Sequence, residues 1–197
     1  MCAPVLAGRG GGDATQGTNV SVAQMGTVGD SLSDVGTYKV GTIAALGGGK
    51  WTVNSPTAQN WTEVLAAQYG LPAPCAAQTG LFPLIPGFTG APIQNFPACR
   101  NYAQGSARVT SAFGPNSTAV QSFISTANGG GAAGTAAAAA AAPLGLMAVP
   151  IVTQMNTHLA NAGGSYSGRE LVVVMAGGND VFMNLNGVST AAGGGAG

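Results

Sequence analysis

The distribution of apolar residues along the chain predicts several strands. From Val20 to Val28, the apolar residues at 20, 22 and 28 alternate with polar ones, a pattern from which Met25 departs, and this predicts a short strand. Leu171 to Met175 is a continuous apolar run, which is typical of a strand buried on both faces of a parallel sheet. Arg100 to Ala103 is interpreted as a further, very short strand that leads into Gly105.

A helix is predicted to begin at Ser55-Pro56, because serine is a favoured N-cap residue and proline is favoured at the first helical position. Gly70 is predicted to end this helix. The apolar residues at helical spacing within the segment are Trp61, Val64, Leu65 and Tyr69. We expect them to form the face that packs against the rest of the domain.

A second helix is predicted to begin near Pro150 and to end at Gly163-Gly164. Its expected apolar face consists of Ile151, Val152, Met155 and Leu159. Ala119 to Ala127 is also interpreted as helical. Strands that alternate with helices favour an α/β domain with a mainly parallel sheet.

The segment from Leu71 to Ala98 is predicted to be a long ordered loop, because it contains six prolines, which disfavour regular structure. Cys75 and Cys99 bracket most of it. They are either the two ends of a disulfide or two unpaired small core residues. Residues 129–142 are rich in alanine and glycine and are interpreted as a tolerated insertion.

The most informative feature of the composition is its low content of charged residues. Charged residues make up 6% of the chain, against about 25% in an ordinary soluble domain. Six basic and six acidic residues balance, so nothing favours binding to nucleic acid. The low charge indicates an extracytoplasmic protein, and residues 1–20 are interpreted as a flexible leader, a remnant of a signal or lipoprotein segment. No apolar run is long enough to predict a transmembrane segment.

Candidate chemistry begins where the first predicted strand ends, at Gly29-Asp30-Ser31-Leu32-Ser33-Asp34. Ligands of parallel α/β sheets bind at the carboxyl ends of the strands, which is where Ser31 lies in this prediction. A Gly-Asp-Ser tripeptide alone is also compatible with an ordinary turn. The longer string from Gly29 to Gly36 resembles the first conserved block of the GDSL (SGNH) hydrolases, whose serine is the nucleophile.

Two further segments resemble the next blocks of that family, in the same order. Asn101 to Ala107 is similar to the second block, whose glycine, here Gly105, offers a backbone N–H to the oxyanion. Gly177 to Asp180 is similar to the third, whose asparagine, here Asn179, supplies an amide donor. Taken singly, Gly105 is also compatible with a turn and Asn179 with an Asx-turn.

The resemblance implies a fold and an activity. The fold is a three-layer α/β/α sandwich with a mainly parallel, flavodoxin-like sheet, of which residues 21–197 would be the N-terminal portion. The activity is hydrolysis of carboxylic esters of lipids, acylated sugars or short acyl chains, without a cofactor or a metal. The catalytic residues would be Ser31, Gly105 and Asn179, and the partner a small-molecule or lipid ester.

The sequence departs from the family in lacking the fourth block, Asp-x-x-His. The single histidine, His158, is expected at the surface or at the margin of its helix rather than as the base that activates Ser31. We therefore expect the domain to be incomplete at its C-terminus. Two alternatives remain open: a catalytically inactive member that binds ligands in the same pocket, and a low-charge structural protein with chance motifs.

Overall fold

The computed structural model describes most of the chain between Ser21 and Gly193. The described residues are 21–50, 53, 55, 57–81, 89–115, 125–126, 129–136 and 149–193. The predicted leader, most of the predicted helix from Ala119 to Ala127 and about half of the alanine-rich insertion lie outside them. In chain order the elements are β1 (Gln24–Gly29), α1 (Gly41–Ala45), α2 (Trp61–Gln68), β2 (Gln78–Leu81), β3 (Ala91–Asn95), α3 (Ile151–Asn161), β4 (Glu170–Met175) and α4 (Gly178–Gly193).

Strands β1 and β4 pair in parallel, which confirms an α/β arrangement with a small parallel sheet. The register runs from Gln24 opposite Glu170 to Gly29 opposite Met175. Both strands were predicted from their apolar residues. The expectation that the second is buried on both faces is wrong, because none of its residues is fully buried and Val174 is 52% exposed.

The other edge of β1 is occupied by the segment around Asn101. The Thr27 N–H donates to the Arg100 carbonyl at 2.9 Å, and the Tyr102 N–H donates to the Thr27 carbonyl at 2.8 Å. Asn101 forms parallel bridges with both Thr27 and Ala76. The prediction of a very short strand here is confirmed at Asn101, and the order across the sheet is β4, β1, the Asn101 segment and the chain around Ala76.

The proline-rich segment is not a loop throughout, and here the prediction is wrong. Strands β2 and β3 form an antiparallel pair whose register is irregular between Thr79 and Leu81. Gly80 lies in this irregular part, where an added Cβ would lie 2.8 Å from the Ile93 Cα. Pro92 is tolerated in β3 because an irregular ladder does not require every backbone N–H to donate.

Helix α2 begins later than predicted because Asn60, rather than Ser55, is its N-cap. The Asn60 side chain accepts the Thr62 N–H at 2.9 Å, and the Asn60 N–H donates to Glu63 Oε2 at 2.7 Å. This reciprocal capping box starts the helix at Trp61. Gly70, with φ of +67°, follows the helix, so the predicted end is confirmed.

The buried faces of α2 and α3 differ from the predicted ones, although Ile151 is buried as predicted. In α2 the buried residues are Thr62 and Ala66, while two of the predicted apolar face, Val64 and Tyr69, are exposed. In α3 the predicted bounds are confirmed, but Val152 and Met155 are exposed. The residues of α3 that are buried are Ile151, Gln154 and His158.

Gln154 is buried because its side-chain amide is bonded on both sides by the backbone of β1. Its Oε1 accepts the Gly29 N–H at 2.8 Å, and its Nε2 donates to the Gly29 carbonyl at 3.0 Å. A glutamine satisfied in this way can replace an apolar residue in the interface between helix and sheet. Gln154 therefore fixes α3 to the carboxyl end of β1.

A small apolar cluster lies beneath α3 and is joined to the disulfide. Its buried members are Val28, Ala77, Tyr102, Ala107 and Ile151. Cys99 packs against this cluster and is bonded to Cys75, with their Cα atoms 5.1 Å apart. Of the two alternatives for these cysteines, the structure contains the disulfide. Among the described helices, none has the length and apolar character needed to cross a membrane.

Candidate active site

Ser31 lies in a turn that directly follows the carboxyl end of β1. The Ser33 N–H donates to the Asp30 carbonyl at 3.1 Å, and the Leu32 N–H donates to Asp30 Oδ1 at 3.0 Å. Ser31 is partly exposed and Leu32 is half-exposed, whereas the residues on either side of this pair are buried. Ser31 therefore lies at the edge of the sheet where ligands of parallel α/β sheets bind.

Three side chains from elsewhere in the chain fix the turn. The Asn60 amide donates to the Leu32 carbonyl at 3.0 Å, and the Asn101 amide donates to the Ser33 carbonyl at 2.9 Å. The Trp61 indole N–H donates to Ser33 Oγ at 3.2 Å. The sequence does not predict these contacts, because the partners lie 28 and 68 residues from the turn and leave no local pattern.

The Asp30 carboxylate connects the turn to the beginning of α4. It is 3% exposed, and a Cβ added to Gly178 would lie 3.7 Å from its Oδ2. Burial raises the pKa of Asp30, while the Leu32 N–H acts in the opposite direction. The positive end of the α4 dipole lies on this side of the helix and favours the ionised carboxylate.

The Asp34 carboxylate joins the first and second motifs in the interior. It has no exposed surface, and its Oδ1 accepts the N–H groups of Gly36 at 2.9 Å and Thr37 at 2.8 Å. Its Oδ2 accepts the Gly105 N–H at 2.9 Å. Burial raises the pKa of Asp34, and the hydrogen bonds from these three N–H groups oppose that effect.

Gly105 is held at the same sheet edge as Ser31, but its N–H is engaged. The preceding Gln104 N–H donates to the Gly29 carbonyl at 3.1 Å, and the Gly105 carbonyl accepts the Tyr38 hydroxyl at 2.8 Å. Burial, together with the nearby Asp34 carboxylate, raises the pKa of Tyr38, which stays protonated as a donor. The donor predicted for the oxyanion is therefore directed at Asp34 in this structure.

Asn179 lies in the first turn of α4 and is buried. Its Nδ2 donates to the Ala107 carbonyl at 2.8 Å. The next residue, Asp180, accepts the Val109 N–H at 2.9 Å and the Arg108 Nε–H at 3.0 Å. The third motif is thus hydrogen-bonded to the end of the second. The Asn179 amide nitrogen carries two hydrogens, and the bond to the Ala107 carbonyl uses one of them.

Ser31, Gly105 and Asn179 share one topological position. Each follows a strand or strand-like segment of the parallel sheet: β1, the Asn101 segment and β4. The carboxyl ends of parallel strands lie at the same edge, which brings the three motifs together. The hydrogen bonds of Asp34 to Gly105 and of Asn179 to Ala107 then link them in pairs.

His158 is not at the surface, and the prediction for it is wrong. It has no exposed surface, and its Nε2 lies 3.1 Å from Glu170 Oε1. Its ring lies between Tyr102 and Tyr166, with centroids 5.1 and 5.4 Å away. The space for it exists because residue 26 is a glycine, where an added Cβ would lie 2.6 Å from the His158 Cε1.

This location separates His158 from Ser31. His158 packs against Gly26, five residues before Ser31, and a strand advances about 3.3 Å per residue, so the separation is on the order of 15 Å. Burial lowers the pKa of His158. Glu170 opposes that shift, and Arg100 adds to it. The expectation that His158 is not the base for Ser31 is consistent with this distance.

Within the described part of the chain, no three His, Cys, Asp or Glu side chains are grouped closely enough to hold a metal ion. No protein-family model and no curated protein sequence matches this chain. A function must therefore be inferred from the motifs and from the geometry of the sheet edge.

Proposed function

We propose that this chain carries the nucleophile of an extracytoplasmic serine ester hydrolase of the GDSL (SGNH) type. The observation that carries the proposal is the position of Ser31, partly exposed in a tightly bonded turn at the carboxyl end of β1. The second and third motifs lie at the same edge. The proposal includes the finer architecture of that family, a three-layer α/β/α sandwich around a mainly parallel sheet.

In the proposed reaction, Ser31 Oγ attacks the carbonyl carbon of an ester. A bond forms between Oγ and the acyl carbon, the bond to the alcohol oxygen breaks, and the serine proton passes through a base to the leaving alcohol. Water then hydrolyses the acyl-serine. No cofactor takes part in these steps.

Stabilisation of the oxyanion is assigned to the Ser31 N–H and to the second amide hydrogen of Asn179. Loss of such a donor typically costs about 3 kcal/mol of transition-state stabilisation. The Gly105 N–H donates to Asp34. Through this bond, Gly105 positions the loop beside the Ser31 turn.

Activation of Ser31 requires a base that the described residues do not supply. The chain contains one histidine, and it packs against Gly26, toward the opposite end of β1 from the Ser31 turn. We propose that an Asp-x-x-His pair outside these 197 residues completes the site, so the assay uses the full-length protein.

The test is hydrolysis of p-nitrophenyl acetate and butyrate by the full-length protein and by its Ser31→Ala variant. We expect Ser31→Ala to lower kcat by at least about 10³-fold with an unchanged melting curve. Ser165→Ala, at an exposed serine between α3 and β4, is the matched control and should retain full activity. Activity that survives in Ser31→Ala would refute the role of Ser31.

A second candidate is an inactive relative that binds ester or glycan ligands in the same place. The observation that favours it is that two of the three oxyanion donors implied by the resemblance, the Gly105 N–H and the Asn179 amide, already donate to protein acceptors, Asp34 and the Ala107 carbonyl. It predicts no turnover in the full-length protein, together with binding of butyl acetate that is detected by saturation-transfer NMR.

A further inference from the structure

A cavity of about 430 Å³ lies on the α3 side of the sheet. It is bounded by one face of α3, by the β2–β3 pair and by the segment from Tyr102 to Gln104. Pockets that hold small molecules typically have volumes of about 300–1,000 Å³. The cavity is therefore large enough for a ligand of roughly the size of one sugar ring.

The described lining contains no Asp, Glu, Lys, Arg or His side chain. Its polar side chains are amides and hydroxyls, contributed by Gln78, Asn95, Tyr102, Gln104, Thr153, Gln154, Thr157 and Asn161. Amides and hydroxyls both donate and accept hydrogen bonds, as the hydroxyls of a neutral ligand do. A charged ligand would find no opposite charge to compensate for its desolvation.

The amides on the hairpin side are held in place by bonds to one another. Gln104 Nε2 donates to Gln78 Oε1 at 2.9 Å, and Gln78 Nε2 donates to Asn95 Oδ1 at 2.8 Å. Gln104 Oε1 accepts the Val149 N–H at 3.0 Å. Each of these side chains keeps a hydrogen or a lone pair beyond these bonds, and its orientation is fixed before a ligand arrives.

Helix α3 forms the opposite wall of the cavity and contributes further polar groups. Thr153, Thr157 and Asn161 are four residues apart and therefore lie along one face of the helix. Asn161 Nδ2 donates to the Tyr102 hydroxyl at 3.1 Å, which fixes the phenol ring at the floor of the cavity. Tyr102 and Pro97 add apolar surface, against which the C–H groups of a sugar ring can pack.

We propose that this cavity binds a neutral, hydroxyl-rich small molecule, such as one sugar unit. The cavity is adjacent to the turn of Ser31 through Gly29, whose backbone is bonded by both Gln104 and Gln154. Sugar binding in this cavity does not require Ser31 to be a nucleophile, so it can be tested independently of ester hydrolysis.

The test uses full-length protein with Ser31→Ala, so that catalysis does not affect the measurement. Binding of methyl glucopyranoside, methyl galactopyranoside and N-acetylglucosamine is measured by calorimetry and saturation-transfer NMR, with glucuronate and glucosamine as charged comparators. We expect at least one neutral sugar to bind with Kd of about 1 mM or tighter. Both charged comparators should bind at least tenfold more weakly.

Two substitutions locate the binding in the cavity. Thr153→Val and Asn161→Leu keep the branched shape of the side chain but remove its hydrogen-bonding groups, and each should weaken sugar binding at least tenfold. Asn156→Leu, on the same helix but outside the cavity lining, should change Kd by less than twofold. If Asn161→Leu does not fold, as judged by circular dichroism, Thr153→Val decides the outcome.

Three results would overturn the proposal. These are no binding of any neutral sugar, equal binding of the charged comparators, or binding that Thr153→Val and Asn161→Leu leave unchanged. If any of these results is obtained while Ser31→Ala loses p-nitrophenyl ester hydrolysis, the sugar-binding site is refuted and the proposed hydrolase is not.

Discussion

The Asp34 carboxylate accepts the backbone N–H of Gly105 at 2.9 Å, across a separation of 71 residues. The same carboxylate accepts two N–H groups of its own turn, from Gly36 and Thr37. A buried carboxylate with three N–H donors orders both segments at once. The position of Gly105 beside the Ser31 turn therefore depends on Asp34, which takes no part in the proposed reaction itself.

Replacing Asp34 with asparagine tests this connection. Asp34→Asn removes one acceptor oxygen and places an amide group against an N–H donor, so we expect the free energy of unfolding to fall by about 1–3 kcal/mol. Urea denaturation measures the change. Asp180→Asn is the matched control and should cost less, because its carboxylate is 27% exposed. An equal loss in both variants would contradict the role of Asp34.

The second prediction concerns the space that Gly26 leaves for the His158 ring. In Gly26→Ala the new Cβ would lie 2.6 Å from the His158 Cε1, so strand and helix must separate, at a cost of about 1–3 kcal/mol. In a His158→Ala background the same change should cost less, which a double-mutant cycle measures. Gly178→Ala, where the nearest contact would be 3.7 Å, is the control and should be nearly neutral.

The buried histidine also predicts a pH dependence of stability. Burial lowers the pKa of His158 below its usual value of about 6.5, so the folded state binds its proton less readily than the unfolded state does. Stability should be constant above about pH 6.5 and should decrease as the pH falls below that value. The charged and titratable groups that face the ring are Glu170, Arg100, Tyr102 and Tyr166.

Urea denaturation between pH 8 and pH 5 measures this effect. Asp30 and Asp34 have raised pKa values, which act in the opposite direction at lower pH, so the His158→Leu variant serves as the reference. The difference in unfolding free energy between the parent protein and His158→Leu should decrease as the pH falls. A difference that does not vary with pH would show that His158 is not buried in its neutral form.

Asn179 provides a kinetic prediction for the proposed hydrolase. Asn179→Ala in the full-length protein should lower kcat for p-nitrophenyl butyrate by about 10²–10³-fold, with a smaller effect on KM. Asn184→Ala, in the same helix, is the control and should leave kcat unchanged. An unchanged kcat in Asn179→Ala would remove this amide from the oxyanion hole.

The sequence by itself determined the elements whose apolar residues form a local pattern. The apolar residues of β1 and β4 indicate these two strands, and Pro150 and Gly163-Gly164 mark the bounds of α3, because these signals lie within the elements or next to them. The two cysteines were also correctly singled out. Their pairing was decided by the fold, which brings their Cα atoms to 5.1 Å.

The tertiary structure alone decided which polar residues are buried. Gln154 and His158 occupy the inner face of α3, where apolar Val152 and Met155 were expected. Gln154 is satisfied by Gly29, 125 residues away, and His158 fits because Gly26 has no side chain. A polar side chain can be buried where a partner elsewhere in the fold accommodates it. Because such partners are so distant in sequence, no periodic pattern along the chain indicates the burial.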